Sequence, residues 1–436
     1  MDKWAFNLIA EMKKRFGFMK GNLTILTIRQ VLGMFFRKMV LSYASLFVIA
    51  VGGDYSQIGI INSIRPLAGL IMFPIAGYLT DRTSRVKIIT IADVFSGVTM
   101  LIYVFAPSWQ WIAAGALIQG FMVFSFPPVS AIMADSIEPQ NRGVGVAMMN
   151  TISTLVSLLS PVIAATVLGI YGEEFGMRIL YGFLGLQALV SAVLVHYKLK
   201  ETTIPEPMGD MPSMLSIIKN TYSGVPALLK QISTSVKAVS IVVLLAFLSN
   251  GVSSPFWVVY VKEIIGLTNV EWGSILLYES ILRMLLTMPA GVLSDRIGRS
   301  KTLMISIGFS LISIPMLIFA NSFTSVLLIR FGAAVAGAMF IPSSSALISD
   351  YTPRNMRGKV MAAVGRGTAM IGAAGGGTGG PGLGYLFVIP VMMSSLVGGV
   401  LYAMNPVYPW YFVAGTTILQ LLCVILFIRD PEVAEN

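Results

Sequence analysis

Apolar stretches of about twenty residues, broken by short charged or turn-rich intervals, run almost the whole length of this 436-residue chain. The pattern predicts membrane-crossing helices near residues 24–50, 56–80, 88–106, 110–134, 144–169 and 178–197. After a polar interval a second set follows near 238–261, 271–294, 302–320, 324–349, 360–402 and 410–428. The interval from Lys198 to Lys237 contains Pro205, Pro207, Asp210 and Pro212, then a weakly amphipathic stretch through Ile217, Ile218, Leu228 and Leu229, and is predicted to be a cytosolic linker. The predicted organisation is an amphipathic N-terminus (1–22), a six-helix bundle (23–198), the linker (199–237), a second six-helix bundle (238–429) and a short tail (430–436).

Two stretches depart from this rhythm. Trp4, Leu8, Met12 and Phe16 recur every fourth position beside Lys13, Lys14, Arg15 and Lys20, which suits an interfacial helix on an anionic membrane surface; a frayed solvated tail is the alternative. The 360–402 stretch is too long for one span, and no charge occurs between Arg366 and Arg429. Its run Gly375-Gly376-Gly377-Thr378-Gly379-Gly380-Pro381-Gly382 propagates a helix poorly, so the segment is expected to be broken, re-entrant or extended into an extracellular hairpin.

Composition agrees with a bilayer as solvent: 56% of residues are hydrophobic, 11% are charged, and the mean hydropathy is +0.80. Of the 30 Lys and Arg residues, 21 fall in the termini and even-numbered loops, two (Arg178 and Lys262) in odd-numbered loops and seven inside spans. This asymmetry places both termini in the cytosol and turns the net charge of +10 into an orientation signal. The basic residues do not gather on one face or tail, so no nucleic-acid footprint is expected. A single histidine, His196, and a single cysteine, Cys423, exclude an internal disulfide, a His-based triad and a multi-histidine or paired-thiolate metal site. No metal and no cofactor are expected.

The chain also repeats itself. Gly77-Tyr78-Leu79-Thr80-Asp81-Arg82-Thr83-Ser84-Arg85-Val86-Lys87 returns as Gly291-Val292-Leu293-Ser294-Asp295-Arg296-Ile297-Gly298-Arg299-Ser300-Lys301, an offset of 214. Ser130-Ala131-Ile132-Met133-Ala134-Asp135, with Pro139 and Arg142-Gly143, returns as Ser345-Ala346-Leu347-Ile348-Ser349-Asp350, with Pro353 and Arg357-Gly358, an offset of 215. Two motifs keeping one spacing across half the chain mark a duplication. An even number of spans per half makes the copies parallel, related by a pseudo-twofold axis along the membrane normal. The fold class is therefore all-α and polytopic, two six-helix bundles.

The glycine- and arginine-bearing signature at 77–87 and 291–301 resembles the loop that the major facilitator superfamily carries after its second and eighth helices, and the resemblance extends over essentially the whole chain. Its wording is most similar to drug-efflux members. Ser84 stands where that family usually has Gly, Ser160-Pro161-Val162-Ile163-Ala164-Ala165 only echoes the fifth-helix antiporter element, and no basic residue lies between Ala113 and Gln119. The resemblance implies a monomeric secondary transporter of a small organic molecule in the plasma (inner) membrane, working by alternating access and leaning towards export, as an antiporter, with proton or cation coupling open. It also implies that Asp81, Arg82, Arg85, Arg142, Asp295, Arg296, Arg299 and Arg357 form a cytosolic latch between halves, positive-inside anchoring being the alternative. A solute-uptake symporter of the same fold, a transporter-like sensor or scaffold, and a membrane-embedded enzyme are the competing readings; no HExxH, Walker-A or paired-acid signature supports the last.

Charges inside spans are costly and mark function. Arg29, Arg37, Lys38, Arg65, Arg283, Arg330 and Arg366 outnumber Asp93 and Glu279, which favours an anionic or amphipathic substrate. Arg37 and Arg366, with Phe36, Tyr43 and Trp257 as an apolar wall, are the candidate substrate contacts, packing being the alternative for the aromatic rings. Arg29 and Arg330 are read as snorkelling to the interfaces, and Asp93 as capping or pairing with a loop base. Glu279 and Arg283 are spaced for an i,i+4 ion pair, and Glu279 matches Arg65 under the 214 offset, so a coupling switch or structural ion pair among Arg65, Glu279 and Arg283 is expected.

Overall fold

The computed structural model describes residues 20–204, 212–375 and 383–430. The N-terminal stretch 1–19, the proline-rich part of the linker and the Gly-rich run 376–382 lie outside the described residues, as does the tail after residue 430. Among the described residues there is no strand.

The first half contains α1, bent by 46° between Asn22–Leu41 and Ala44–Ala50, then α2 (Tyr55–Arg82), α3 (Arg85–Val104), α4 (Trp109–Ser136), α5 (Pro139–Tyr171) and α6 (Glu173–Lys198). Two short helices, α7 (Met214–Tyr222) and α8 (Val225–Gln231), belong to the linker. The second half contains α9 (Thr234–Glu263), α10 (Asn269–Ile297), α11 (Arg299–Phe319) and α12 (Phe323–Asp350), the short α13 (Arg357–Val364), then α14 (Tyr385–Met404) and α15 (Tyr408–Phe427). Large apolar side chains such as Phe95, Leu186, Leu285 and Leu426 are exposed around the bundle, as a lipid-facing surface requires.

The duplication is deeper than the two loop motifs. Asp54 and Thr268, 214 residues apart, each build a capping box at the start of the second helix of their half, with Gln57 and Glu271 as the returning side chains. Val86 and Ser300, again 214 apart, are first-turn amides of the third helix in each half. Their backbone N–H groups donate to the carboxylates of Glu201 (3.3 Å) and Asp430 (2.8 Å), which follow the last helix of each half. Those acids are 229 residues apart in sequence, so the second half is longer by about fifteen residues between its third and sixth helices.

The surplus lies where the 360–402 span was expected. That stretch is not one helix. Helix α13 ends at Gly365, whose φ of +84° suits glycine, and irregular chain runs from there to Gly375 before α14 begins at Tyr385. A Cβ on Gly384 would lie 2.2 Å from the backbone nitrogen of Gly365, so the two ends of the excursion meet. Between them, residues 369–372 reach the polar centre of the second half. Among the described residues the segment is thus broken, and its 365–375 part is re-entrant.

The halves touch through α2 against α14 and α5 against α10. Small residues allow this. A Cβ on Gly59 would sit 2.6 Å from the carbonyl oxygen of Ser395, and one on Gly273 would sit 2.8 Å from that of Pro161. The polar contacts at this level lie on the face opposite the linker. Tyr43 donates to the Pro161 and Asn269 carbonyls (3.0 and 3.1 Å), Tyr55 donates to Glu263 (2.7 Å), and Lys262 pairs with Glu173. This far face is closed.

Candidate functional site

The bilayer-depth charges gather in two groups. In the first, α10 presents Glu279 one turn before Arg283, and the carboxylate is shared between two guanidinium groups. Arg283 Nη2 donates to Oε1 (2.5 Å), while Arg330 Nε and Nη2 of α12 donate to Oε2 (2.8 and 2.5 Å). Arg330 is 1% exposed. Its remaining donor Nη1 reaches the Gly372 carbonyl (2.7 Å), and its Cζ lies 4.4 Å from the centre of the Trp257 ring. Lys38 approaches from the other half, donating to Ser280 Oγ (3.1 Å) within the electrostatic reach of Glu279 and Arg283.

The re-entrant segment is held against this group by groups that satisfy its irregular backbone, as membrane depth demands. Asn250 Nδ2 donates to the Met370 carbonyl (2.8 Å), and its Oδ1 accepts from Ala373 N (3.3 Å). Ser254 Oγ donates to the Gly375 carbonyl (2.6 Å) and Ser344 Oγ to that of Gly367 (2.7 Å). Gly372, at φ +64°, turns its carbonyl to Arg330 in a conformation that a residue with a side chain rarely adopts.

In the second group, on α1, α2 and α3, Arg29 clasps Asp93 through Nε (2.7 Å) and Nη2 (2.5 Å). Arg37 is exposed, in the electrostatic field of Arg65, Arg29 and Asp93. Both in-span carboxylates are therefore committed to Arg29, Arg283 and Arg330. Among the described residues no carboxylate pairs with Arg37, Lys38 or Arg65.

Several expectations shift on this geometry. Glu279 pairs with Arg330 and Arg283 instead of Arg65, because α12 packs directly on α10 whereas α2 faces α14. Arg330 does not snorkel; its counter-ion sits one helix away. Neither does Arg29, and Asp93 meets that in-span arginine instead of a loop base. Trp257 is fully buried against Arg330 and Trp410, and Tyr43 is fully buried beside the Pro161 and Asn269 carbonyls at the far face. Phe36 stacks on Phe183 of α6, with centroids 6.4 Å apart, and so turns away from the second half. Arg366 is exposed but lies on the re-entrant segment before the eleventh span, its carbonyl accepting from Ser345 Oγ (2.5 Å).

In the loop signature and its companion motif, Arg85, Arg142, Arg299 and Arg357 make contacts within their own halves. Arg85 pairs with Asp135 (2.6 Å), and Arg299 correspondingly with Asp350. Arg142 Nε donates to the carbonyls of Ala134 and Ile137, and Arg357 Nη2 to those of Ser349 and Thr352, residue for residue at an offset of 215. Asp81 and Arg296 are exposed, Arg82 lies over the ring of Tyr78, and Asp295 is 4.0 Å from Arg299. Sequence reasoning did not single out Lys38, Asn250 or Gly372 as partners of one site. The signal available was a lysine, an asparagine and a φ-permissive glycine at membrane depth.

Comparison with known proteins matches this arrangement. The sequence profile of the Major Facilitator Superfamily covers residues 26–232 and 239–436. The multi-drug resistance efflux pump PmrA homolog of Lactococcus lactis is 23% identical over 331 residues, 74% of this chain and 78% of that protein. The multidrug resistance protein MdtG of Salmonella typhi is 22% identical over 306 residues, 69% of this chain and 72% of that one. Among solved structures, a variant of the nucleoside transporter NupG superposes with a TM-score of 0.68 at 14% identity, covering 93% of this chain and all of that one. The inward-open xylose transporter XylE of E. coli gives 0.63 at 14% identity, with 94% and 96% covered. Matched along both halves, with the duplicated helices in place, the chain belongs to the major facilitator superfamily of membrane transporters.

Proposed function

We propose that this chain is a secondary active exporter of small organic molecules, anionic or amphipathic, which moves them by alternating access of a site between the halves. The observation that carries the reading is the uncompensated charge at bilayer depth. Asp93 and Glu279 are saturated by arginines, which leaves Arg37, Lys38 and Arg65 without an in-span counter-ion. A cation there is costly, and an anionic group of the cargo would lower that cost. Export is supported by the relatives named as efflux pumps and by the wording of the loop signature. Alternating access is supported by the far-face closure together with Arg85, Arg142, Arg299 and Arg357, which bind within their own halves at the linker face. The linker face is cytosolic on this reading, and the membrane is the plasma (inner) membrane.

The test is direct. Purified protein in liposomes is assayed for flux of a panel of anionic, neutral and cationic amphiphiles, and binding is followed by thermal shift. Arg37→Gln and Lys38→Gln are each expected to weaken binding of anionic compounds by about tenfold or more, in line with the loss of one charge-assisted hydrogen bond, and to leave neutral ones unchanged. Equal loss for neutral and anionic compounds would remove both residues from the recognition of charge. Absence of flux for every compound in either direction would sink the transporter reading itself.

A further inference from the structure

Helix α2 carries Pro74 in its interior. A proline has no backbone N–H, so the carbonyl four residues earlier, that of Leu70, loses its helical donor. That carbonyl accepts instead from the hydroxyl of Tyr222, the last residue of the linker helix α7, at 2.8 Å. The ring of Tyr222 meets the ring of Tyr385, at the first turn of α14, edge to face with centroids 5.2 Å apart. One linker side chain therefore touches the first half and the second half together. It does so on the linker face, opposite the closure made by Gly59, Tyr43 and Tyr55.

The position has a structural cause. Gly59 and Gly399 bring α2 and α14 into backbone contact near the far face, but α14 begins only at Tyr385, after the re-entrant residues 365–375. The linker-side stretch of α2 around Phe73, Pro74, Gly77 and Tyr78 is thus left without α14 beside it, and α7 lies along it through Ile217, Asn220 and Thr221. Burial pushes the Tyr222 hydroxyl up to about 12, so it remains a hydrogen-bond donor at neutral pH.

We propose that Tyr222 is a positioning residue of the transport cycle: its ring wedges α2 and α14 apart at the linker face, and its hydroxyl, by taking the carbonyl that Pro74 frees, holds the access state seen here. For the opposite state α2 and α14 must approach at this face, and the wedge has to leave. Pro74 makes that exit cost a hydrogen bond.

The inference rests on the alternating-access reading, and its test reads distances instead of flux, so failure of one is distinguishable from failure of the other. Spin labels are placed at Lys87→Cys and Lys301→Cys, exposed at the linker ends of α3 and α11, in a Cys423→Ser background, and the distance distribution is recorded by pulsed electron resonance. Tyr222→Phe keeps the ring and removes the donor. It is expected to lower the ratio of long to short distances about fivefold, the size of one neutral hydrogen bond. In Pro74→Ala, or in Pro74→Ser should the alanine variant not fold, the returned amide serves Leu70 and the same Tyr222→Phe change is expected to have no effect. An unchanged distribution on Tyr222→Phe with Pro74 in place, or an equal shift in both backgrounds, overturns the proposal.

Discussion

Replacing Glu279 by glutamine isolates what the buried pair is worth. The substitution keeps the shape and one carbonyl acceptor but removes the charge that two guanidinium groups share. An arginine cannot escape by deprotonating, because its intrinsic basicity is too high. Arg330, 1% exposed, would be left with neutral acceptors, the Gly372 carbonyl and the amide oxygen of the glutamine, and the face of Trp257. Breaking a buried pair from one side costs about 3–5 kcal/mol, and the acceptor that glutamine retains points to the lower end, about 3 kcal/mol. At roughly 1 °C per kcal/mol for 436 residues, that is a fall of about 3 °C in the unfolding midpoint. The single native cysteine, Cys423, is partly buried on α15, so its reaction with a thiol-activated fluorophore on heating reports unfolding without an added label. Removing the partner as well, in Glu279→Gln with Arg330→Met, should recover most of the loss, because no uncompensated charge then remains beneath Trp257. The reasoning is refuted if Glu279→Gln melts within a degree of the parent, or if the double variant loses the sum of both single losses.

Two further outcomes follow from the same contacts. Gly59→Val puts branched carbons where the Ser395 carbonyl already stands 2.6 Å from a single Cβ, so α2 must leave α14 at the far face. In Cys423→Ser protein carrying Ser395→Cys, labelling by a membrane-impermeant maleimide should rise by about an order of magnitude, as expected for a crossing that loses its small-residue contact; unchanged labelling would show that the crossing does not seal that face. Asn250→Leu removes the donor to the Met370 carbonyl and the acceptor for Ala373, a loss of about 2 kcal/mol. Amide exchange across residues 365–375 should then quicken by about tenfold or more while α9 keeps its protection, and exchange unaltered there would mean that other groups hold the segment.

The architecture was legible because it is periodic. Span length, loop charge and the 214–215 offset each survive small errors in boundaries, and the matched capping boxes at Asp54 and Thr268 show that the duplication reaches residues no motif had flagged. The site was legible only as a list of charges. Glu279 with Arg283 is a local spacing that a helix guarantees, whereas Glu279 with Arg330 bridges 51 positions and depends on which helix α10 packs against. The same holds for Arg29 and Asp93, 64 apart. The Gly-rich run signalled a broken span, but Asn250, Ser254 and Ser344, which hold the excursion in place, sit on helices whose own patterns are ordinary. Tyr222 was invisible for a related reason: a proline advertises the bond it breaks, never the side chain that will replace it.

The carboxylates of Glu201 and Asp430 carry a consequence of another kind. Each stands just past the sixth helix of its half and binds the opening turn of the third, so the chain of each half is fastened back onto its own middle before it leaves. A torque applied through the linker at Glu201 is delivered to α3 and α6 together, and does not peel α6 away from its neighbours. Each bundle can then behave as a lever with its handle bolted to the arm, and the linker can pull on one half as a whole without unravelling the end it pulls from.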